Sequence, residues 1–184
     1  MQEKRFNMRI HKTGFLVAIA GAALVVPASA QTKGGTSAPP QVYATMAQLM
    51  KGIFFPAANV YFAAQSDDPN AVPPAKDPSL ATNPLASTYG KWEAVENASL
   101  AMVEAANLLS IPGRKCANGL PVPIQNADWP KFVQGLREAG LAAYKAAQSK
   151  NQDKIVEVAD TLTTACANCH DRYREKPTMA ERCK

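Results

Sequence analysis

The sequence predicts an all-α fold, an antiparallel four-helix bundle, and three observations predict it. Four segments place apolar residues at steps of three and four, the period of one helix face. No segment shows the strict alternation of a half-buried strand. Alanine-rich runs such as Leu141-Ala142-Ala143-Tyr144-Lys145-Ala146-Ala147 favour helix and let neighbouring helices approach closely. Four amphipathic helices bury their apolar stripes by packing on one another.

The N-terminus carries a different signal. Lys4, Arg5, Arg9 and Lys12 precede an apolar run from Gly14 to Val26, and Ala28-Ser29-Ala30 comes next. A basic region, a short apolar region and small residues two apart form a secretory signal peptide, expected over 1–30. The run is shorter than the roughly 18–20 residues that span a bilayer, so stable membrane insertion after cleavage is not expected. Export places the chain in the periplasm. Most of the formal charge of +5 goes with this segment. The small positive excess that remains, without Lys/Arg runs, gives no reason to expect a nucleic-acid partner.

Residues 31–44 are polar and contain Gly34, Gly35, Pro39 and Pro40, a flexible leader before a bundle domain over 45–184. The first helix is expected at Thr45, where Thr45 and Gln48 form a capping box. Its face runs Met46, Leu49, Met50, Ile53, Ala57, Val60, Tyr61 and Ala64. Pro56 removes a backbone donor and crowds the Gly52 carbonyl, which predicts a kink.

Five prolines make residues 66–86 a long loop. A second helix is expected from about Ser87 to Ser110, with Trp92, Val95, Met102, Ala106 and Leu109 inward and Pro112-Gly113 ending it. Residues 111–127 form a loop holding Cys116. The third helix starts near Trp129-Pro130, where proline fits the first turn, and turns Phe132, Val133, Leu136, Ala139, Ala143 and Ala147 inward. A short polar link leads to the fourth, with Ile155, Val158, Leu162, Ala165, Cys169 and Tyr173 on one face and Pro177 beyond its end. Trp92 and Trp129 read as core or bundle-edge aromatics.

The chemistry is concentrated in Cys166-Ala167-Asn168-Cys169-His170, the C-x-x-C-H haem-attachment pattern. On a helix, positions three apart share a face, so both sulfurs can add to the vinyl groups along one haem edge. His170 then offers its imidazole to the iron. His11 falls in the signal peptide, so His170 is the sole histidine after cleavage and bis-histidine ligation within the chain is excluded. A zinc site would need Cys166, Cys169, His170 and a distant cysteine, without the usual paired spacings.

A four-helix pattern with this motif late in the last helix resembles the class II c-type cytochromes, the cytochrome c-prime family. Cys166 to Arg174, with Tyr173 and Arg174 after the histidine, is similar to that family's attachment segment. Gln48-Leu49-Met50-Lys51 resembles the segment where low-spin members carry an axial methionine. The resemblance implies one haem c held by Cys166 and Cys169, iron ligated by His170 and Met50, and Arg174 near a haem propionate, with Arg172 a weaker choice. Met46, one turn earlier, competes with Met50, and both also read as ordinary core methionines.

Cys116 and Cys183 fit an exported protein with a structural disulfide, the other reading being two free thiols. Together these features point to a periplasmic monohaem electron carrier, not an enzyme, working with redox partner proteins and leaving a homodimer open. A haem protein binding nitric oxide or carbon monoxide, with Met50 off the iron or displaceable, is the alternative. A thiol–disulfide enzyme using Cys166 and Cys169 is a third class, disfavoured because reactive thiols gain from a helix N-terminus and these lie late in a helix.

Overall fold

The computed structural model describes residues 39–184; the expected signal peptide and the leader residues 31–38 lie outside the described residues. Four long helices pack against one another, and no strand occurs among the described residues. Helix α1 runs without a break through three stretches: α-helical Met46–Leu49, π-helical Met50–Phe54 and α-helical Phe55–Ala63. Helix α2 spans Lys91–Ala105 and tightens into a 3₁₀ turn over Ala106–Ser110. Helix α3 is Trp129–Gln148 and helix α4 is Gln152–Tyr173.

The expected cap of α1 is present. Thr45 Oγ1 accepts from the Gln48 N–H at 3.3 Å, and Gln48 Oε1 accepts from the Thr45 N–H at 2.9 Å. Beyond it the face departs from the simple reading: Ile53 is 36% exposed, while Phe54 is 8% exposed and buried. Pro56 is accommodated by a π-helical turn, in which the Phe55 N–H reaches back five residues to the Met50 carbonyl. One surplus residue in the turn rotates the downstream half of the helix by about 100° relative to the upstream half.

Helix α2 starts at Lys91, later than Ser87, because residues 84–90 fold into a tight turn. A Cβ at Gly90 would collide with the Leu85 carbonyl oxygen and lie 2.7 Å from that of Ser87. Only glycine fits so close an approach. The proline-rich stretch is shaped rather than loose: Pro78–Leu80 and Pro84–Ala86 are 3₁₀ turns capped by Asp77 and Asn83. Pro69 and Leu85 are buried.

The core follows the expected faces on α2 and α3. Trp92, Val95, Met102, Ala106 and Leu109 are buried, as are Val133, Leu136, Ala139, Ala143 and Ala147. Small residues bring these two helices close. A Cβ at Gly140 would stand 2.7 Å from Val103 Cγ2. Trp129 opens α3 and donates its indole N–H to the Leu109 carbonyl at 3.2 Å, joining the start of α3 to the end of α2.

Candidate functional site

Cys166, Cys169 and His170 lie in the last two turns of α4. Asn151 caps that helix by accepting from the Lys154 N–H at 3.3 Å. Its inward face is buried at Ile155, Ala159 and Leu162, with Val158 partly exposed, and is buried again at Tyr173. Between them, Ala165, Cys166 and Cys169 pack on the core but stay partly open. The protein itself therefore covers this stretch of an otherwise core-facing stripe only in part.

Helices α1 and α4 meet at the end away from that stretch. The buried Tyr61 hydroxyl donates to the Ile155 carbonyl at 3.2 Å, and burial pushes its pKa up to about 12. Gln152 Nε2 donates to the carbonyls of Ala64 and Gln65, both at 3.1 Å. The Met46–Phe54 half of α1 packs mainly on the rest of its own helix and on α2, with little close approach to α4 among the described residues. Met46 and Met50, in that half, are partly buried against the core.

The start of α1 and the end of α4 are nevertheless tied to one loop. Met46 N–H donates to Lys115 O at 2.8 Å, and Arg114 Nη1 donates to Ala44 O at 2.6 Å. The next residue, Cys116, lies at disulfide distance from Cys183, with their Cα atoms 6.6 Å apart. Cys183 N–H in turn donates to the Tyr173 carbonyl at 2.8 Å. Asn118 Nδ2 adds bonds to the carbonyls of Met179 at 2.9 Å and Arg182 at 3.0 Å. Met50 is about 6 Å along its axis from the tied end, and His170 about 4.5 Å from Tyr173, at 1.5 Å per residue.

Electrostatics around the motif are set by burial. Burial pushes the Cys166 thiol up, and burial together with Asp128 and Cys166 pushes Cys169 up to about 11. Burial, then the Arg174 charge, holds His170 below its ordinary value. Arg174 Nη1 stands 3.1 Å from His170 Nδ1, and Arg174 Nε pairs with Glu175 at 3.0 Å. A guanidinium can only donate, so Nδ1 accepts and the ring proton sits on Nε2. Among the described residues, no group of three or more His, Cys, Asp or Glu side chains gathers to hold a metal ion directly.

Arg172 is engaged elsewhere. It pairs with Asp128 at 3.3 Å, donates to the Lys184 carbonyl at 2.8 Å, and lies 4.9 Å from the Tyr173 ring centroid. Asp128 accepts from the Tyr173 hydroxyl, which also accepts from Asn126 Nδ2 at 3.0 Å. Trp129 and Phe132 flank the same ring at 5.2 and 6.2 Å. Sequence reading missed this cluster. Its only local hint is an aspartate directly before Trp129-Pro130, which looks like a helix cap and instead reaches α4. Arg114 was also missed; it is 5% exposed and bonds only to carbonyls, those of Ala44 and Leu108.

No family model, curated protein or solved structure matches the chain. No helix among the described residues is long and apolar enough to cross a membrane.

Proposed function

We propose that the chain is an exported class II-type c-type cytochrome. It is read as an antiparallel four-helix bundle with one haem c on Cys166 and Cys169, the iron held by His170 and Met50. It serves as a one-electron carrier between periplasmic redox partner proteins. The observation that carries the reading is the break in the covered face of α4. Ala165, Cys166 and Cys169 are three partly buried residues in a row along that face, between buried Leu162 and buried Tyr173, on the half of α4 that α1 does not closely approach. A large apolar ring system bonded to both thiols would complete that core.

The ties at the Cys116–Cys183 end support a two-sided site. They bring the start of α1 and the end of α4 onto one loop, which fits antiparallel order and similar depths for Met50 and His170. The donor set suits the same role. Only one nitrogen and one thioether have to reach the iron, so a gathered cluster of His, Cys and acids is not required.

Haem, when bound, supplies a ferric–ferrous couple at the iron. The remaining work belongs to the chain. Cys166 and Cys169 fix the ring edge to α4, and His170 must turn Nε2 toward the iron. Nδ1 then has to carry the proton, so Arg174 must release it, which frees that guanidinium for a propionate. The Met50 thioether would be the second donor to the iron and would favour the ferrous state. The inward residues Leu49, Phe54 and Leu162 keep water from the covered side. With both donors supplied by side chains, a change of oxidation state would need little movement of the chain.

One observation favours the ligand-binding alternative. Met50 is only partly buried against the core, so packing alone does not lock its thioether in place. Absorption spectra of the exported protein, oxidised and reduced, with and without carbon monoxide, test both readings. Covalent haem with a six-coordinate low-spin spectrum, lost in Met50→Ala, is expected. A five-coordinate ferric protein that binds carbon monoxide readily would replace the carrier with the gas binder. Absence of covalent haem would sink both.

A further inference from the structure

We propose that Pro56 is a positioning residue for Met50: it holds the π-helical turn at Met50–Phe54, and that turn sets Met50 at the flank of the core instead of inside it. The inference rests on the reading of Met50 as an iron ligand and deepens it, by naming what aims the side chain.

The spacing of buried residues along α1 reveals the shift. Counting back from Ala64, the buried positions are Tyr61, Ala57 and Phe54, in steps of three and four. An unbroken α-helix would next bury residue 50 or 51. The next buried residue is Leu49, five back at 5% exposed, and Met50 is only partly buried. The π turn has moved Leu49 into the inward slot and carried Met50 about 100° round the helix.

The surplus residue has nowhere else to go, because both ends of α1 are held. Met46 N–H is bonded to Lys115 O at 2.8 Å, and Ala44 O to Arg114 at 2.6 Å. At the far end Tyr61 is bonded to Ile155 O at 3.2 Å, and Ala64 O to Gln152 at 3.1 Å. Pro56 decides where between them the helix widens. It has no N–H for the Gly52 carbonyl, and its ring crowds that oxygen in a regular α turn. Gly52 is exposed, and a Cβ there would meet nothing within 4 Å, so side-chain packing at that position does not hold the widened turn in place.

The test uses the exported holoprotein. Pro56→Ala frees the widened turn to move from Met50–Phe54 toward Met46, which carries the α register back through residue 50 and swaps Met50 for Leu49 at the inward slot. It is expected to keep covalent haem, lose the six-coordinate low-spin spectrum and bind carbon monoxide as Met50→Ala does. A Leu49→Cys thiol, protected in the parent, becomes reactive in the Pro56→Ala background. Deleting Gly52 from the Pro56→Ala protein removes the surplus residue between the held ends and is expected to restore both spectrum and protection. A Pro56→Ala protein with parental spectrum and protection overturns the proposal. So does a loss that the Gly52 deletion fails to repair, which would mean general loosening. If Met50→Ala leaves the parental spectrum unchanged, the ligand reading fails by itself, while the Leu49→Cys reactivity still decides whether Pro56 sets the register.

Discussion

Removing the Cys116–Cys183 link should cost the protein a substantial part of its stability, chiefly through the unfolded state. The pair is separated by 67 residues and encloses all of α3 and α4. Closing a loop of that size restricts the unfolded chain by an amount equivalent to about 4 kcal/mol, an upper-end figure. The native contacts beside the link do not depend on it. Asn118 would still bond the carbonyls of Met179 and Arg182, and Cys183 N–H that of Tyr173. A Cys116→Ala/Cys183→Ala protein should therefore keep its fold and unfold about 10 °C lower. Urea unfolding followed by far-ultraviolet circular dichroism measures this directly. Loss of the cross-link should also raise the m-value, because the freed unfolded chain exposes more surface. A stability loss below about 1 kcal/mol would refute the loop-entropy reasoning. A full loss with unchanged m-value would assign the effect to native contacts instead.

Three further outcomes are expected. Tyr61→Phe deletes a buried hydroxyl whose acceptor is Ile155 O, and should cost about 1 kcal/mol by thermal unfolding. Gly140→Ala forces a methyl against Val103 Cγ2 at 2.7 Å, and because valine is stiff at χ1 the helices must part. A loss of about 1–3 kcal/mol is expected, and an unchanged melting temperature would show that the α2–α3 contact yields without strain. The bond from Tyr173, with Arg172 adding a smaller effect, holds the Asp128 carboxyl below the usual carboxylate range. A depressed folded pKa gives stability that is complete above the unfolded value and lost as pH falls through the folded one. Acid unfolding midpoints should show that loss in the parent and a flatter acid limb in Asp128→Asn.

Much of the architecture could be read residue by residue. The Thr45–Gln48 box, the Trp129-Pro130 start and the inward faces of α2 and α3 are local signals, and each coincides with the element that forms. The Cys116–Cys183 pair was legible because two cysteines remain once C-x-x-C-H is set aside. The π turn was not legible. Met46, Leu49, Met50 and Ile53 already make a plausible unbroken face, and Phe54 beside Ile53 is apolar too, so a one-residue shift leaves the pattern looking regular. The start of α2 was misplaced because its delay comes from carbonyls of Leu85 and Ser87 crowding Gly90, a contact with no periodicity. Asp128 and Tyr173 are far apart in sequence, and buried Arg114 runs against the usual exposure of arginine. Of the candidate site, the motif was plain from spacing alone. The Arg174–His170 contact was not, since which ring nitrogen a neighbour engages is decided by side-chain conformation.

The bonds that hold α1 at both ends have a consequence for motion. Exchange of Met46 for Met50 opposite a fixed point on α4 would need α1 to slip by one turn, about 6 Å along its axis. Such a slip would break the Met46–Lys115 and Ala64–Gln152 bonds together. Axial sliding is therefore blocked, while a bow outward between the held ends costs neither bond. Helix α1 is thus expected to act as a beam pinned at both ends, free to bow between them but fixed in its height along the bundle.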